Sequence, residues 1–496
     1  MELEEYRGRL DQFEEQLNKS LHRYLSGEST DLGTARWFAE FSDLFELETL
    51  REFDRALAEC PGHLSSRRRS LRRCRAYTVE HCLDRIGQPL REQAADEENS
   101  RTVRFGGHDV PVAELRARIA AEPDPHLRRR MSELCSEASA EAAGLLRRAA
   151  EAMREEAQKL GFNGCRDVIE QTSGFDYQAL SSAFEALLRA SDPVYLDALT
   201  ASIQTTTGVA PGALCRCDAG FWVRANDPRF GLVASQREAA VGEITRGLSV
   251  KPEPGRSIAV ATPDLPAWRV QPCCVPVRVP EDVRVLVPAS GGQDGYGALL
   301  HETGHACQLA WASPALPAEF RRTGDRALAE TFGFLFESLL TEPSWLSGIA
   351  GVSRPSAFVR FMHLLRAYRI RCHAARLRFE LEYDGGGLRD PEGRWVEIFR
   401  EATGVSPEPG SWTVGGSAAF ESGDYLRAWA LEVRLREFLR TRFGHRWYVD
   451  RSAGRFLKEI WETGFFYTAE ELGAEIGLGA FDAQPLFDEL GKGLRQ

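Results

Sequence analysis

The sequence predicts a mainly α-helical fold that carries one small antiparallel β-sheet. Across the first 205 residues, apolar side chains recur every three or four positions with charged residues between them, which is the spacing of amphipathic helices. Three short segments rich in β-branched residues then interrupt this pattern, at residues 258–262, 273–279 and 283–287. The helical spacing resumes at about Asp294 and continues towards the end of the chain.

The helical segments are predicted from the spacing of their apolar residues and from the glycine and proline residues that bound them. In the first half they fall at about residues 1–25, 34–60, 64–92, 127–160 and 177–204. In the second half they fall at about residues 294–311, 317–341, 355–381, 391–403, 420–442 and 452–462, with a last helix near 468–476 or 484–494.

The length of the chain exceeds what one ordinary hydrophobic core organises, since it has 496 residues. We therefore expect a helical N-terminal region at residues 1–205 and a catalytic C-terminal region at 206–496. The second region contains the small sheet, at about residues 256–288. Proline cannot donate a hydrogen bond within a sheet, so Pro272, Pro276 and Pro280 predict that segment 273–279 is an edge strand.

Composition and charge exclude several classes of protein. A net charge of −11 argues against a nucleic-acid partner, because little here would neutralise phosphates. No apolar run approaches the roughly 18 residues of a membrane span, and the acidic start of the chain is unlike a secretory signal. The 11 cysteines are scattered without a CxxC pair, as in reduced intracellular proteins. We expect a cytoplasmic protein, monomeric or weakly dimeric, without a membrane partner.

The motif that indicates chemistry is His-Glu-Thr-Gly-His at residues 301–305. On a helix, positions i and i+4 share one face, so His301 and His305 can bind the same metal ion. Zinc accepts imidazole nitrogen and, in catalytic sites, takes three protein ligands and leaves one position open for water. Glu302 follows the first histidine, where its carboxylate can take a proton from that water as a general base.

A third ligand is expected on the helical segment after the motif. Residues 327–337 form a strongly apolar pattern, and a carboxylate within it is costly unless it is paired or bound to a metal. We predict Glu330 as the third ligand. Glu337, two turns further on, is predicted either to form an ion pair or to hydrogen-bond a ligand histidine, and Asp325 is a second candidate for such a supporting hydrogen bond.

Together these residues resemble the thimet oligopeptidase and oligoendopeptidase F family, whose members are gluzincin metallopeptidases. The resemblance rests on the motif at 301–305, the helix with Glu330, and the segments 160–167, 273–287 and 319–325, and it covers roughly residues 130–490. It implies a two-lobed helical fold of the neurolysin and thimet type, with the small antiparallel sheet beside the zinc site. It also implies one zinc ion per chain and a short peptide as substrate.

The resemblance also implies how the substrate binds. The peptide would add to the edge strand, at Cys274 and Val275, and a tyrosine near the C-terminal helices would stabilise the oxyanion. The family has a histidine and several tyrosines there, whereas residues 412–429 of this chain contain no histidine and a single tyrosine, Tyr425. Tyr425 is therefore either the oxyanion donor or a helix residue packed on Trp429. Arg427 is predicted to anchor a substrate carboxylate.

Two functional hypotheses follow from these residues. The first is a zinc metallopeptidase that hydrolyses bonds in short peptides. The alternative is an HExxH metalloenzyme that tailors a peptide or a small-molecule natural product, and the altered stretch around Tyr425 favours it somewhat. A scaffold protein with a vestigial site is disfavoured, because all four residues of the proposed centre are intact. His363 and His373 are interpreted as core or surface histidines, with a position facing the substrate channel as the alternative for His363.

Overall fold

The computed structural model describes residues 2–226, 231–413 and 420–495. In the first part of the chain the helices are α1 (Leu3–Leu25), α2 (Ala35–Glu40), α3 (Leu47–Glu59), α4 (Ser65–Ser100), α5 (Val112–Ile119), α6 (Pro125–Ala138), α7 (Ala140–Lys159), α8 (Cys165–Ser173) and α9 (Tyr177–Thr207). Strands β1 (Thr102–Phe105) and β2 (His108–Pro111) form an antiparallel hairpin between α4 and α5.

Several features of this part differ from the sequence prediction. The segment predicted as one helix at 34–60 forms two helices, α2 and α3. The helix predicted at 127–160 is divided at Ser139, which ends α6 and precedes α7. The hairpin was not predicted, although its turn is formed by Gly106 and Gly107, both at positive φ (61° and 85°). Two residues at positive φ fit the tight turn whose twist matches that of paired strands, so a Gly-Gly pair between short polar segments was a usable signal.

In the second part the helices are α10 (Arg216–Asn226), α11 (Arg237–Gly247), α12 (Gly292–Trp311), α13 (Ala318–Arg321), α14 (Arg326–Glu337), α15 (Pro343–Gly348), α16 (Pro355–Asp384), α17 (Pro391–Thr403), α18 (Glu421–Phe443), α19 (Arg451–Trp461), α20 (Ala469–Glu475) and α21 (Gln484–Arg495). Both alternatives for the last helix are therefore present. The segment predicted at 317–341 is divided before α14, because the Asp325 carboxylate accepts a hydrogen bond from the Ala327 N–H and so starts a new helix.

The sheet consists of β3 (Ile258–Ala261), β4 (Cys273–Arg278) and β5 (Asp282–Leu286), in the order β3-β5-β4. Strands β4 and β5 pair antiparallel, as predicted, while β3 runs parallel to β5. Strand β4 lies at the edge of the sheet, as its prolines predict. The sheet packs on α12, and α1 lies beside β4.

The main hydrophobic core runs from Leu50 to Leu490, so helices from both parts of the chain share it. A second cluster of aromatic residues joins α1, α2, α3 and α4. Within the main core α14 packs against α12 on one side and α18 on the other. A mainly helical fold with a small sheet is thus confirmed. The division at residue 205 stays a prediction.

Within the part of the chain that the structure describes, no helix combines the length and the apolar character needed to cross a membrane.

Candidate metal centre

Three side chains from two helices converge at one point. His301 and His305 lie one turn apart on α12, and their Nε2 atoms are 3.0 Å from each other. Glu330 approaches from α14, with its Oε2 atom 3.2 Å from His301 Nε2 and 3.7 Å from His305 Nε2. One ligand atom from each of the three lies within 4.8 Å of the others. The arrangement is that of three donors around a common centre.

The chemistry of these donors fits a zinc ion. Glu330 Oε2 is buried and, among the described residues, has no hydrogen bond of acceptable geometry. A buried carboxylate oxygen without a partner is costly, and a cation at the shared point removes that cost. Two imidazoles and one carboxylate form a ligand set that zinc accepts, with a fourth position left for water.

Two glycines bring the helices close enough for this convergence. A Cβ atom on Gly304 would lie 2.2 Å from the carbonyl oxygen of Phe332, so α12 and α14 touch backbone to backbone there. A Cβ atom on Gly333 would lie 2.7 Å from the ring of His301. Larger residues at either position would push α14 away from the histidines. The glycine within the motif, which costs helix stability, is explained by this contact.

Glu337 holds the His301 ring from the side opposite to the centre. Its Oε2 atom lies 3.2 Å from His301 Nδ1, and Arg369 donates to its other oxygen at 3.0 Å. Because a carboxylate accepts, Nδ1 carries the proton and Nε2 is left free to face the centre. The sequence named Glu337 as a partner of a ligand histidine or of a cation, and the structure places it in contact with both.

The charges of the centre shift the pKa values of its groups in opposite directions. Burial opposes the charged form of His301, but the neighbouring carboxylates of Glu330 and Glu337 raise its pKa well above the ordinary value. Burial likewise opposes the charged form of Glu330, but its contacts with the imidazoles of His305 and His301 hold its pKa well below the usual range. The two groups therefore stabilise each other's charged forms.

Glu302 lies beside the three donors and has a different environment. Its side chain is buried, and this burial raises its pKa above the ordinary value, against the lowering effect of His305 and His301. The nearby Cys274 backbone N–H also lowers the pKa of Glu302, but less than burial raises it. A carboxylate whose charged form is disfavoured takes up a proton more readily, as a general base must.

These residues border a cavity of about 360 Å³. Its wall is formed by both helices, by β4 and by parts of the chain further on: Pro272, Cys273, Cys274, Pro276, His301, Glu302, His305, Gln308, Leu309, Arg322, Ala329, Glu330, Tyr425 and Phe465. The predicted edge strand thus forms one side of the cavity.

Strand β4 lines the cavity with Cys273, Cys274 and Pro276, rather than with the predicted Cys274 and Val275. Cys274 lines the cavity, but the Val275 side chain is fully buried in the core. Arg322 Nη1 donates to the carbonyl oxygens of Pro276 and Val277, each at 3.2 Å. The backbone at 276–277 is therefore already occupied, and any contact of Val275 with a substrate is restricted to its main chain.

The prediction that Arg427 anchors a substrate is wrong. Its side chain is fully buried and lies between three carboxylates, at 2.7 Å from Asp325, 2.9 Å from Asp424 and 2.6 Å from Glu470. Each of these contacts is an ion pair within the protein, so no group of Arg427 is available to a ligand. The reason is tertiary: α18 turns this residue towards the start of α14 rather than towards the cavity.

The prediction that Asp325 supports a ligand histidine is also wrong. Its carboxylate caps α14 at Ala327, accepts from the Ala469 N–H at 2.8 Å and pairs with Arg427. Five residues along a helix correspond to a rotation of about 140°, so Asp325 and Glu330 leave α14 on different sides. Asp325 therefore stabilises the helix rather than the centre.

Tyr425 lines the cavity and also packs on aromatic rings, so its position is compatible with both of its predicted roles. Its ring centroid lies 6.3 Å from that of Trp429 and 4.8 Å from that of His373. Burial raises the pKa of its hydroxyl, which therefore remains protonated and able to donate. Within the stretch 412–429, which was compared with the family, residues 414–419 lie outside the described residues.

Two residues near the centre were not predicted as site residues from the sequence. His373 on α16 packs against Tyr425, and only the tertiary packing of α16 on α18 brings the two rings together. Gln308 lines the cavity one turn beyond His305. Its spacing from His301 and His305, seven and three residues, places it on the same helix face and was a usable signal.

Comparison with known proteins gives a structural match alone. No protein-family model matches the chain, and no curated protein sequence matches it. A solved structure described as "PZ peptidase A with inhibitor 2" matches with a TM-score of 0.69, covering 100% of this chain and 97% of that one. The chain has the fold of PZ peptidase A. The two sequences are 14% identical, so the match establishes the fold and nothing finer.

Proposed function

We propose that this chain is a zinc-dependent metallopeptidase that hydrolyses peptide bonds in short peptides. The observation that supports this most strongly is the convergence of His301, His305 and Glu330 beside the buried carboxylate of Glu302, within one cavity. The fold shared with PZ peptidase A, a protein named as a peptidase, supports the same class of activity.

In this proposal His301, His305 and Glu330 hold the zinc ion. When bound, zinc supplies a Lewis acid that polarises a carbonyl group and acidifies water. Glu302 takes the proton from the attacking water and returns it to the leaving amine, a transfer helped by its raised pKa. Glu337 keeps the His301 ring in the orientation that directs Nε2 to the centre.

Tyr425 is proposed to donate a hydrogen bond from its hydroxyl group to the oxyanion that develops on the scissile carbonyl. It lines the cavity together with the proposed ligands, and its hydroxyl stays protonated. The substrate main chain is proposed to lie along β4 at Cys273 and Cys274, which border the cavity ahead of the part of the strand that Arg322 covers. A cavity of about 360 Å³ accommodates a short peptide segment rather than a folded protein.

A second candidate function is the tailoring of a peptide or a small-molecule natural product by the same metal centre. The observation that favours it is the composition of the cavity wall, where Leu309, Ala329 and Phe465 add apolar surface and Arg322 already occupies two carbonyl groups of the edge strand. Fewer main-chain groups are then left for a peptide than a long exposed edge would offer.

The test of the first function is cleavage of a mixed library of short peptides, read by mass spectrometry. The zinc-loaded wild type is compared with Glu302→Gln at matched zinc content. We expect chelator-sensitive cleavage by the wild type and a loss of about 10²- to 10⁴-fold in the variant. Equal cleavage by the two proteins would contradict the role of Glu302. No cleavage of any peptide by the zinc-loaded wild type would contradict the peptidase proposal and favour the tailoring function.

The same assay tests Tyr425. Tyr425→Phe removes the hydroxyl and keeps the ring that packs on His373. We expect kcat to fall by about 10²- to 10³-fold with a much smaller change in KM, because the hydrogen bond forms with the developing oxyanion. An unchanged kcat would assign Tyr425 to packing alone.

A further inference from the structure

Gln308 lies in the wall of the cavity and carries a buried amide that has no partner within the described part of the chain. Gln308 is 1% exposed, and among the described residues neither its Nε2 atom nor its Oε1 atom has a hydrogen bond. It belongs to α12, seven residues after His301 and three after His305, so the three side chains follow one another along one helix face. The amide is therefore aligned with the proposed metal ligands.

An amide in this state reduces the stability of the protein. A buried donor or acceptor that loses water without gaining a partner carries its full desolvation penalty, and such groups are rare in folded proteins. Nearby wall residues do not relieve it: Leu309 and Phe465 are apolar, and Arg322 is directed to Asp11 and to two backbone carbonyls. A molecule that enters the cavity can supply the partner that Gln308 lacks within the described part of the chain.

The chemistry of the amide restricts that partner. Nε2 needs an acceptor and Oε1 needs a donor, both on the same ligand and close together. A carboxylate or a phosphate satisfies Nε2 alone, and an ammonium group satisfies Oε1 alone. The main chain of a peptide offers both, since each unit has one carbonyl and one N–H group.

We propose that Gln308 binds the main chain of the substrate, with Nε2 donating to a peptide carbonyl and Oε1 accepting from a peptide N–H. This inference rests on the proposed peptidase function. Three residues of helix separate Gln308 from His305 by a rise of about 4.5 Å, so the bound unit lies one or two residues from the scissile bond. Binding through the main chain positions the peptide without selecting its side chains.

The test replaces Gln308 by methionine, which has a similar volume and no amide. Gln308→Met at matched zinc content should lower kcat/KM for the cleaved peptides by about 10- to 100-fold, mainly through KM, as expected for one or two lost hydrogen bonds. Its melting temperature should stay the same or rise, since the variant no longer buries an unpaired amide.

The matched control is Gln293→Met on the same helix. Gln293 is also 1% exposed, but its amide donates to Asp294 at 2.6 Å and does not line the cavity. This variant should keep kcat/KM and lose thermal stability.

A peptide series in which each backbone N–H in turn is replaced by an ester oxygen gives a second readout. In the wild type, the ester replacement at one position near the scissile bond should lower kcat/KM. In Gln308→Met the same replacement should have no further effect. Wild-type kcat/KM in Gln308→Met, or a fall in its melting temperature, would overturn the inference while leaving the peptidase function intact. Absence of cleavage by the wild type would overturn both.

Discussion

Three glutamates in and beside the centre show that position, not residue type, decides the role. Glu330 lies against two imidazole nitrogens, which hold its pKa low. Burial instead raises the pKa of Glu302. Glu337 contacts His301 from behind and is itself held by Arg369. The same carboxylate is thus suited to bind a cation, to exchange a proton or to orient a ring.

At this scale we predict that Glu337→Gln weakens zinc binding by about 10- to 100-fold while the protein stays folded. The amide at this position no longer favours the Nδ1-protonated form of His301, so Nε2 is less available to the metal. Competition with a fluorescent chelator measures the affinity.

Glu489→Gln is the matched control for this variant. Glu489 has the same side-chain exposure as Glu337, 20%, and also pairs with arginines, but its partners Arg366 and Arg436 do not touch the centre. Its zinc affinity should equal that of the wild type. Equal affinities for Glu337→Gln and the wild type would show that the hydrogen bond to His301 does not support binding.

The sequence predicts the residues of the centre better than it predicts their supports. The spacing of His301, Glu302 and His305 is a local property of one helix, so it can be read directly. Arg427 and Asp325 are 102 residues apart and become partners only when α18 packs on α14. No local pattern distinguishes a buried arginine in such an ion pair from one that faces a ligand, which is why both residues were assigned wrongly.

At the scale of elements, the centre depends on how closely α12 and α14 approach. Contact between the two backbones at Gly304 and Phe332 sets the distance between the histidines and Glu330. The existence of these helices follows from the spacing of apolar residues. The same spacing does not predict the break before α14. That break depends on the Asp325 cap and on Gly324, where an added Cβ atom would lie 2.2 Å from the Cβ atom of Phe465.

We predict that Gly304→Ala lowers the free energy of unfolding by about 1–3 kcal/mol, despite the better helix propensity of alanine. The added methyl group forces α14 away from α12, so zinc retention should fall as well. Denaturant unfolding and metal analysis measure the two effects.

Gly144→Ala on α7 is the control, since no atom of the described residues outside its own helix turn lies within 4 Å of a Cβ atom placed there. It should raise stability by up to about 1 kcal/mol and leave zinc binding unchanged. If Gly304→Ala behaved like this control, close packing of the two helices would not be needed for the centre.

At the scale of the whole molecule, the last helix closes the core through a buried histidine. His363 on α16 lies under Gly493 of α21, where a Cβ atom would come within 2.3 Å of the ring. Burial lowers the pKa of His363 from 6.5 to about 4, with Glu489 opposing this effect and Arg366 and Arg436 adding to it. The ring is therefore neutral in the folded protein at neutral pH.

This predicts a loss of stability in mild acid. As the pH falls below 6.5 the unfolded chain binds a proton at His363, whereas the folded chain does not until about pH 4. The unfolded state thus binds more protons in this window, and the free energy of unfolding decreases with falling pH by up to about 3 kcal/mol from this group. Below about pH 4 its contribution no longer changes.

The prediction is checked by denaturant unfolding at several pH values between 7 and 4. The dependence on pH should be shallower for His363→Gln than for the wild type, and unchanged for His63→Gln, since His63 is exposed. Identical slopes for the wild type and His363→Gln would show that the ring is not kept neutral by the fold.

The account as a whole rests on one zinc ion held by His301, His305 and Glu330, and the most direct test is metal content. Wild type and Glu330→Ala are incubated with zinc, dialysed and measured by elemental analysis. We expect one zinc per wild-type chain and loss of most of it from the variant, since a three-ligand site becomes a two-ligand one. A wild type that retains no zinc, or a variant that retains as much as the wild type, would contradict the proposed centre.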